Sequence, residues 1–432
     1  MAAAAVLLLG PAVAACGGPQ GVDAAAAATS RGPITVWYSN NSQEVEWGEQ
    51  MVAAWNAAHP DEEVRAQEIP AGTTSEAVIT ASITAGNAPC LIFNTSPAAV
   101  PEFTRQQGLV DLDTLPPTDD GEDATAYITA RSGDLAEQYA SPDGDFRQIP
   151  WKSNPVMVLY DKKAFAAAGL DPEDPPLHTY DELLSTSRTL VGSGAAPHAL
   201  YPNPSSQFFQ SWFDFYPFYA AETGGTQLVE DGEPTFDDAD GRAVAELWRT
   251  LYDEGLASPE LFNGDAFAVG ATAMTLAGPW AVAVYDGVVD WGVVPVPTPE
   301  GTPAGETWSF SDAKNIALYS ACRNRATAWD VARFATSADQ DRRLLEMTGQ
   351  MPLRADLLDT YADWFADNPT YVPFAEQAAR TVEVPNVQSS TKVWQAFRNA
   401  WSAAVIYRSE SVQEGLDEAA SAIRSLVTTG QQ

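Results

Sequence analysis

Apolar residues recur along the chain at two alternating periods, and the alternation divides it into strands and helices. Ile34, Thr35, Val36, Trp37 and Tyr38 form a β run that ends in the polar loop 39–42, after which Trp47, Met51, Val52 and Trp55 follow at helical spacing. A weaker strand is predicted near 63–69. The next helix opens at Thr73 with Glu76 three residues on, the spacing of a capping box. It carries Val78, Ile79 and Ile83 on one face and stops at Gly86, which suits a left-handed cap. Residues 90–93 make a short apolar strand, again followed by polar Asn94, Thr95 and Ser96. Strand and helix in this alternation predict an α/β fold with a mostly parallel sheet, whose ligands sit beyond the carboxyl ends of the strands.

The stretch 148–165 organises the middle of the chain. A polar, aromatic-bearing turn (Trp151, Lys152, Ser153, Asn154, Pro155) leads into the apolar strand Val156, Met157, Val158, Leu159, Tyr160 and a charged helix start at Asp161. Polar and aromatic groups at the mouth of a buried strand suit a crossing between two lobes that hold a ligand between them. Thr179 and Glu182 then make a second capping box, which assigns Tyr180 to the scaffold. Residues 202–219 are densely aromatic, with Ser205, Gln207, Gln210 and Asp214 interleaved, the composition of a pocket wall around Trp212. Ala243, Val244, Leu247, Trp248 and Leu251 mark an amphipathic helix closed by Gly255. Gly278 and Pro279 punctuate a turn that leaves Trp280 at a strand end. Trp308 and Asp312 flank a second polar and aromatic mouth before the strand 315–319, a candidate second crossing. The tail 391–427 is helical, with Val393, Trp394, Phe397, Trp401 and Val405 as its apolar set.

Composition narrows the function. A chain of 432 residues with 45% hydrophobic content supports two or more packed units. Its net charge of −35, from 58 acidic against 23 basic residues, repels phosphate backbones, so nucleic acid is excluded as a partner. The apolar run 2–15 is too short to span a bilayer and ends in small residues before Cys16, as a secretory leader does. Residues 17–32, rich in Ala, Gly, Ser and Thr, read as a flexible tether, with order expected from Pro33. Cys90 and Cys322 lie far apart and are expected to pack as small apolar residues, a bridge between them being left open. His59, His178 and His198 form no metal-ligand spacing, so neither a metal nor a cofactor is expected. No nucleophile elbow, zinc motif or phosphate loop is present, and no enzymatic activity is expected. The abundance of carboxylates keeps a secreted glycoside hydrolase as the catalytic alternative.

Val13, Ala14, Ala15 and Cys16 resemble the lipobox of bacterial lipoproteins, whose cysteine is acylated. The segments GNAPCLIFN, QGLVDLD, IPWKSNPVMVLYDKKAFAAAGLDP, VGATAMTLAGPWAV and VPNVQSSTKVWQAFRNAW, in this order, resemble bacterial extracellular solute-binding proteins of family 1, the maltose-binding-protein-like lipoproteins of ABC sugar importers. That resemblance implies a periplasmic-binding-protein-like type II fold: two α/β lobes joined by hinge strands around a cleft. One lobe is expected from 33–150 plus 314–349 and the other from 151–313 plus 350–432. It also implies ligand contacts at Tyr38, Asn40, Asn41, Asn94, Thr95, Asn154, Trp280 and Trp394. Cys90 stands where the family usually has Asp, and Asn94 where maltose-binding protein has an aromatic platform.

A saccharide offers hydroxyls at its edge and weakly polarised C–H groups on its faces, so aromatic rings and polar side chains recognise it together. The platforms expected on this ground are Trp280, Trp394, Trp151 and Trp212, with Asn154, Asn94, Asn41, Asp312 and Arg354 as edge partners. The expected protein is a monomer, secreted and lipid-anchored through Cys16 at the outer face of the cytoplasmic membrane. It binds an oligosaccharide and delivers it to ABC transporter permease subunits. Alternative ligands are a glycerophosphodiester, a polyamine or a peptide.

Overall fold

The computed structural model describes residues 22–430 apart from 40, 73, 118–120 and 142. Its strands are β1 (Ile34–Tyr38), β2 (Val64–Glu68), β3 (Leu91–Thr95), β4 (Ile149–Ser153), β5 (Met157–Asp161), β6 (His198–Leu200), β7 (Val229–Glu230), β8 (Glu233–Pro234), β9 (Thr272–Ala277), β10 (Trp291–Val294), β11 (Ser309–Phe310), β12 (Lys314–Leu318), β13 (Met351–Pro352) and β14 (Thr381–Val382). Two sheets dominate, a six-stranded one in the order β13-β4-β12-β3-β1-β2 and a four-stranded one in the order β10-β5-β9-β6. The first draws on stretches from 34 to 352, while the second lies within 157–294 and shares its core with residues 382–427, so both lobes are discontinuous.

The parallel pattern predicted from strand and helix alternation holds for β2-β1-β3. It fails for β12, β4 and β13, which pair antiparallel. These strands flank the crossings: β12 re-enters the lobe and runs against departing β4, and β13 pairs antiparallel on the other edge of β4. In the second sheet β5 is antiparallel to both β9 and β10, and β6 and β9 are parallel.

The chain passes between the sheets at three places: from β4 to β5, from β11 to β12, and beyond β13. The first two crossings run side by side, Asn154 N donating to Ser311 O at 2.6 Å and Val156 N to Phe310 O at 3.0 Å. Because Trp151–Ser153 in β4 and all of β13 pair within the first sheet, that sheet extends a few residues past the expected boundaries at 150 and 349. Arg131, on the helix Ala124–Ser132, ties these strands together. Its guanidinium donates to the carbonyls of Pro150, Trp151 and Leu353 and to buried Asp341.

Apolar side chains on the predicted faces fill each lobe. On the helix Ser42–Ala58, Trp47, Met51 and Trp55 turn inward, and Trp47 packs with Phe93 and Trp151 at ring distances of 5.2–5.7 Å. The second core is built on Phe215, Tyr216, Trp248, Trp394, Phe397 and Trp401. Thr179 and Glu182 form the expected capping box. The helix Ser75–Ala85 is instead capped by Thr74, whose hydroxyl accepts from Ala77 N, and Thr73 lies outside the described residues.

Two expectations are corrected by packing. The stretch 17–32, expected as a flexible tether, contains the helix Ala24–Thr29, capped by Asp23, with Ala27 and Ala28 buried. Beside it, Arg31 pairs with Glu62 at 3.0 Å and Asp330 at 2.6 Å, so order begins before Pro33. Cys90 and Cys322 are joined by a disulfide, with Cα atoms 4.5 Å apart. Sequence separation misled here because β3 and β12 are neighbours, with Leu91 opposite Leu318. No described helix is long and apolar enough to cross a membrane.

Candidate functional site

A cleft of about 780 Å³ opens between the lobes. Its first wall comes from the polar turn after β1, which supplies Ser39 and Asn41, from Glu44 in the first turn of the helix Ser42–Ala58, from the loop after β2, and from Asn94 in β3. Asn41 caps the Ser42–Ala58 helix through Gln43 N and Glu44 N. The crossings form the floor with Lys152, Asn154, Asp312, Lys314 and Gln350. Trp280, Ala283 and Val284 line the opposite wall at the start of the helix Trp280–Tyr285. A side chain on Gly278 would collide with the Trp280 indole, so the Gly-Pro turn holds the ring at the strand end, half-buried at the cleft.

Polar contacts pin the floor. Lys152 Nζ lies 2.5 Å from Glu44 Oε1, and Gln350 Nε2 donates to the same oxygen at 2.7 Å. Asn94 Nδ2 donates to Glu44 Oε2, and Asn154 Nδ2 donates to Gln350 Oε1 at 3.3 Å. Burial alone would push the Glu44 carboxyl up, but the Lys152 ammonium and the donated hydrogen bonds hold it below the usual carboxylate range. Burial pushes the Lys152 ammonium down in spite of Glu44, since it has one acceptor where the carboxylate has several donors. Lys314 pairs with Asp312 at 2.7 Å; burial opposes its charge, yet Asp312 and Glu383 raise its pKa. Asn94 and Asp312 hold left-handed backbone, φ 62° and 38°, a strain that side chains other than glycine rarely carry.

The cleft therefore gathers Asn41, Asn94, Asn154, Trp280 and Asp312 from the residues singled out in the sequence. Asn40 lies outside the described residues, as does Cys16. The remaining candidates lie elsewhere. Tyr38 is buried in the first lobe against Gly48. Thr95 is fully buried, donating to Ile92 O and bonded to the Tyr319 hydroxyl. Trp151 is packed behind Lys152 with Trp47 and Phe93. Trp212 and Trp394 meet edge to face at 5.9 Å inside the second lobe. Asp214 caps the helix Phe215–Thr223 and is consumed by Arg398 at 2.6 Å and by the Trp401 indole. Trp308 and Arg354 line a second groove, of about 1310 Å³, in which Arg354 is tied to Asp341 and Asp356. Tyr38, Thr95 and Trp394 are expected from the family resemblance and the others from residue type, and neither ground says which way a side chain turns.

Glu44 and Gln350 were not singled out from the sequence. Glu44 carried a readable signal: it stands three residues before Trp47 on the buried stripe of its helix, where an unpaired acid is costly. Gln350 gave none; it follows Gly349 at the end of a helix and reaches Glu44 only through the fold.

Two discontinuous α/β lobes around a polar cleft with an aromatic wall define the class of hinged, ligand-enclosing binding proteins. The family model for bacterial extracellular solute-binding proteins matches residues 50–373, and the chain belongs to that family. Among solved structures, the cyclic alpha-maltosyl-1,6-maltose binding protein of Arthrobacter globiformis is 22% identical with a TM-score of 0.77, over 93% of this chain and 100% of that one. The GacH receptor of Streptomyces glaucescens, seen unliganded and with acarbose, is 22% identical with a TM-score of 0.74, over 92% and 99%. The sugar-binding protein MalE of Xanthomonas citri is 18% identical with a TM-score of 0.72, over 92% and 98%. At these identities the likeness carries the fold. Among curated proteins, the sn-glycerol-3-phosphate-binding periplasmic protein of Brucella abortus is 37% identical over 63 residues, 15% of this chain and only 14% of that protein.

Proposed function

We propose that the cleft binds a neutral carbohydrate of oligosaccharide size and that the protein hands it to the permease subunits of an ABC importer. The observation that carries this reading is the pairing of a ring, Trp280, with a floor of amides and self-neutralised ion pairs across one cleft. Such a cleft stacks on a sugar face and hydrogen-bonds its edge, and its volume lies within the roughly 300–1,000 Å³ usual for small-molecule sites. The solved relatives named for maltosyl and maltodextrin ligands support the same class. The short curated match, to a protein named for sn-glycerol-3-phosphate, supports a glycerol phosphate ligand, but the two lysines of the cleft already hold carboxylates. For hydrolysis, Glu44 is a poor protonated acid, because Lys152 and the donated hydrogen bonds hold it below the usual carboxylate range.

Ligand touching both lobes favours the closed form by its differential affinity, and the closed form is the one a permease would receive. Cys16 would anchor the secreted chain to the membrane, with the folded body a monomer. A thermal-shift panel of maltotetraose, acarbose, D-tagatose and sn-glycerol-3-phosphate tests the ligand class. A ligand that binds only the folded form stabilises it by about 2.7 kcal/mol at a hundredfold excess over Kd. A rise with the saccharides is expected; a rise with glycerol phosphate alone would overturn the carbohydrate reading.

A further inference from the structure

We infer that Glu44 is a positioning residue that sets the polarity of the cleft floor: it engages the NH2 groups of Asn94 and Gln350, so that the carbonyl oxygens of Asn94 and Asn154 are left as the unfilled acceptors. The floor then takes hydroxyl donors from its ligand and rejects phosphate. The ligand half of this inference rests on the carbohydrate reading; the geometry does not.

An amide side chain carries a donor and an acceptor that look alike in shape, so its orientation is decided by its neighbours. An ionised carboxylate only accepts. Glu44 is 4% exposed, and the amide ends of Asn94 and Gln350 both bond to it. Each must therefore present NH2 to it. That choice propagates: with Nε2 on Glu44, Gln350 turns Oε1 toward Asn154, and Asn154 must answer with its own NH2 at 3.3 Å. Asn94 Oδ1 and Asn154 Oδ1 are then buried with no protein partner, although Asn154 as a whole is only 2% exposed, and both residues line the cleft. A buried acceptor left unfilled is costly, and a ligand hydroxyl relieves it.

The charges agree with the amides. Lys152 is held by Glu44 and Lys314 by Asp312, and Glu76 adds a further carboxylate to the lining. A phosphate group would bring acceptors to a floor whose unpartnered amide atoms are acceptors and whose two ammonium groups are each already paired with a carboxylate. A sugar brings donors.

Two measurements on the full chain separate this inference from the reading it rests on. In ligand-free protein, side-chain amide NMR signals of Asn94, Gln350 and Asn154 should show slowed hydrogen exchange, and all should lose it in Glu44→Gln. Because that variant leaves Lys152 buried without its counter-ion, the double variant Glu44→Gln/Lys152→Met provides a folded alternative, and Glu44→Asp should restore part of the protection. Unchanged Asn154 protection in the folded Gln variants would overturn the relay. In calorimetric titration, a saccharide that raises the melting temperature of the wild type should bind about tenfold or more weakly to the Gln variants. Equal binding to wild type and variants would overturn the relay and leave the carbohydrate reading standing. Tight binding of sn-glycerol-3-phosphate to the wild type would overturn both. If no member of the panel binds, the carbohydrate reading falls, and the amide signals still decide the relay.

Discussion

Trp280 and Trp394 show how one residue type does two kinds of work. Trp280 is half-buried at the cleft and is the open end of a run of rings, 6.2 Å from Phe213, which lies 6.5 Å from Phe310. Trp394 is fully buried between Trp212, Tyr216 and Phe397. Trp280→Ala should therefore weaken saccharide binding at least about tenfold in calorimetric titration, with the urea unfolding midpoint almost unmoved. Trp394→Ala should cost about 3–5 kcal/mol of stability in the same unfolding series. A silent Trp394→Ala would place that ring outside the core. The Gly-Pro turn made Trp280 legible in the sequence. Trp394 was legible as part of an apolar stripe, but a helical period cannot say whether the stripe faces a core or a cleft.

At the scale of elements, the first lobe depends on strands brought together from distant stretches. The helices and most strands announced themselves through local periodicity and caps, as Thr179 with Glu182 did. β12 was also announced, as the strand 315–319, but β4 and β13 were not, and the antiparallel direction of all three was not, because a crossing is defined by the sheet it returns to. The Cys90–Cys322 bridge staples β3 to the end of β12 across 232 residues of sequence. A closed loop of that length restricts the unfolded chain, so replacing both cysteines with alanine should lower stability by about 2–5 kcal/mol. Urea unfolding of the oxidised wild type against the double variant measures it. Because both cysteines are buried, dithiothreitol should reduce the bridge slowly under native conditions and quickly in urea.

At the scale of the whole molecule, the crossings separate two cavities that share no lining residue. They give Lys152, Asn154, Asp312, Lys314 and Gln350 to the cleft, and Met157, Trp308 and Arg354 to the second groove. Rotation about strands that lie between two openings narrows one as it widens the other. Saccharide binding should accordingly reduce the radius of gyration in small-angle scattering, and an unchanged value at saturating ligand would contradict hinge closure.

Glu383 stands at the same junction. Its N–H donates to Gln138 Oε1, its carboxyl accepts from the Tyr139 hydroxyl, and its carbonyl accepts from the Tyr216 hydroxyl. Burial pushes its carboxyl up to about 8, although Val384 N and Lys314 oppose the shift. A carboxyl whose folded pKa exceeds its unfolded value binds its proton more tightly when folded. Its contribution is thus complete below the unfolded pKa and is lost as pH rises toward 8. The melting temperature should fall over that window in the wild type, and Glu383→Gln should flatten the fall.

Amphipathic period, capping residues and turn chemistry act over a few residues, and for that reason the sequence by itself determined the α/β elements and the turns at Asn154 and Trp280, while the two-lobed class and the place of Asn94 came with the family resemblance. Only the tertiary structure decided which side chains share the cleft, because the direction of a Trp, the partner of a carboxylate and the pairing of two cysteines depend on groups hundreds of residues away. Glu44 reaches Lys152 and Gln350, and Cys90 reaches Cys322, once the sheets assemble. Local patterning specifies elements; the enclosure of a polar floor between them is a property of their packing.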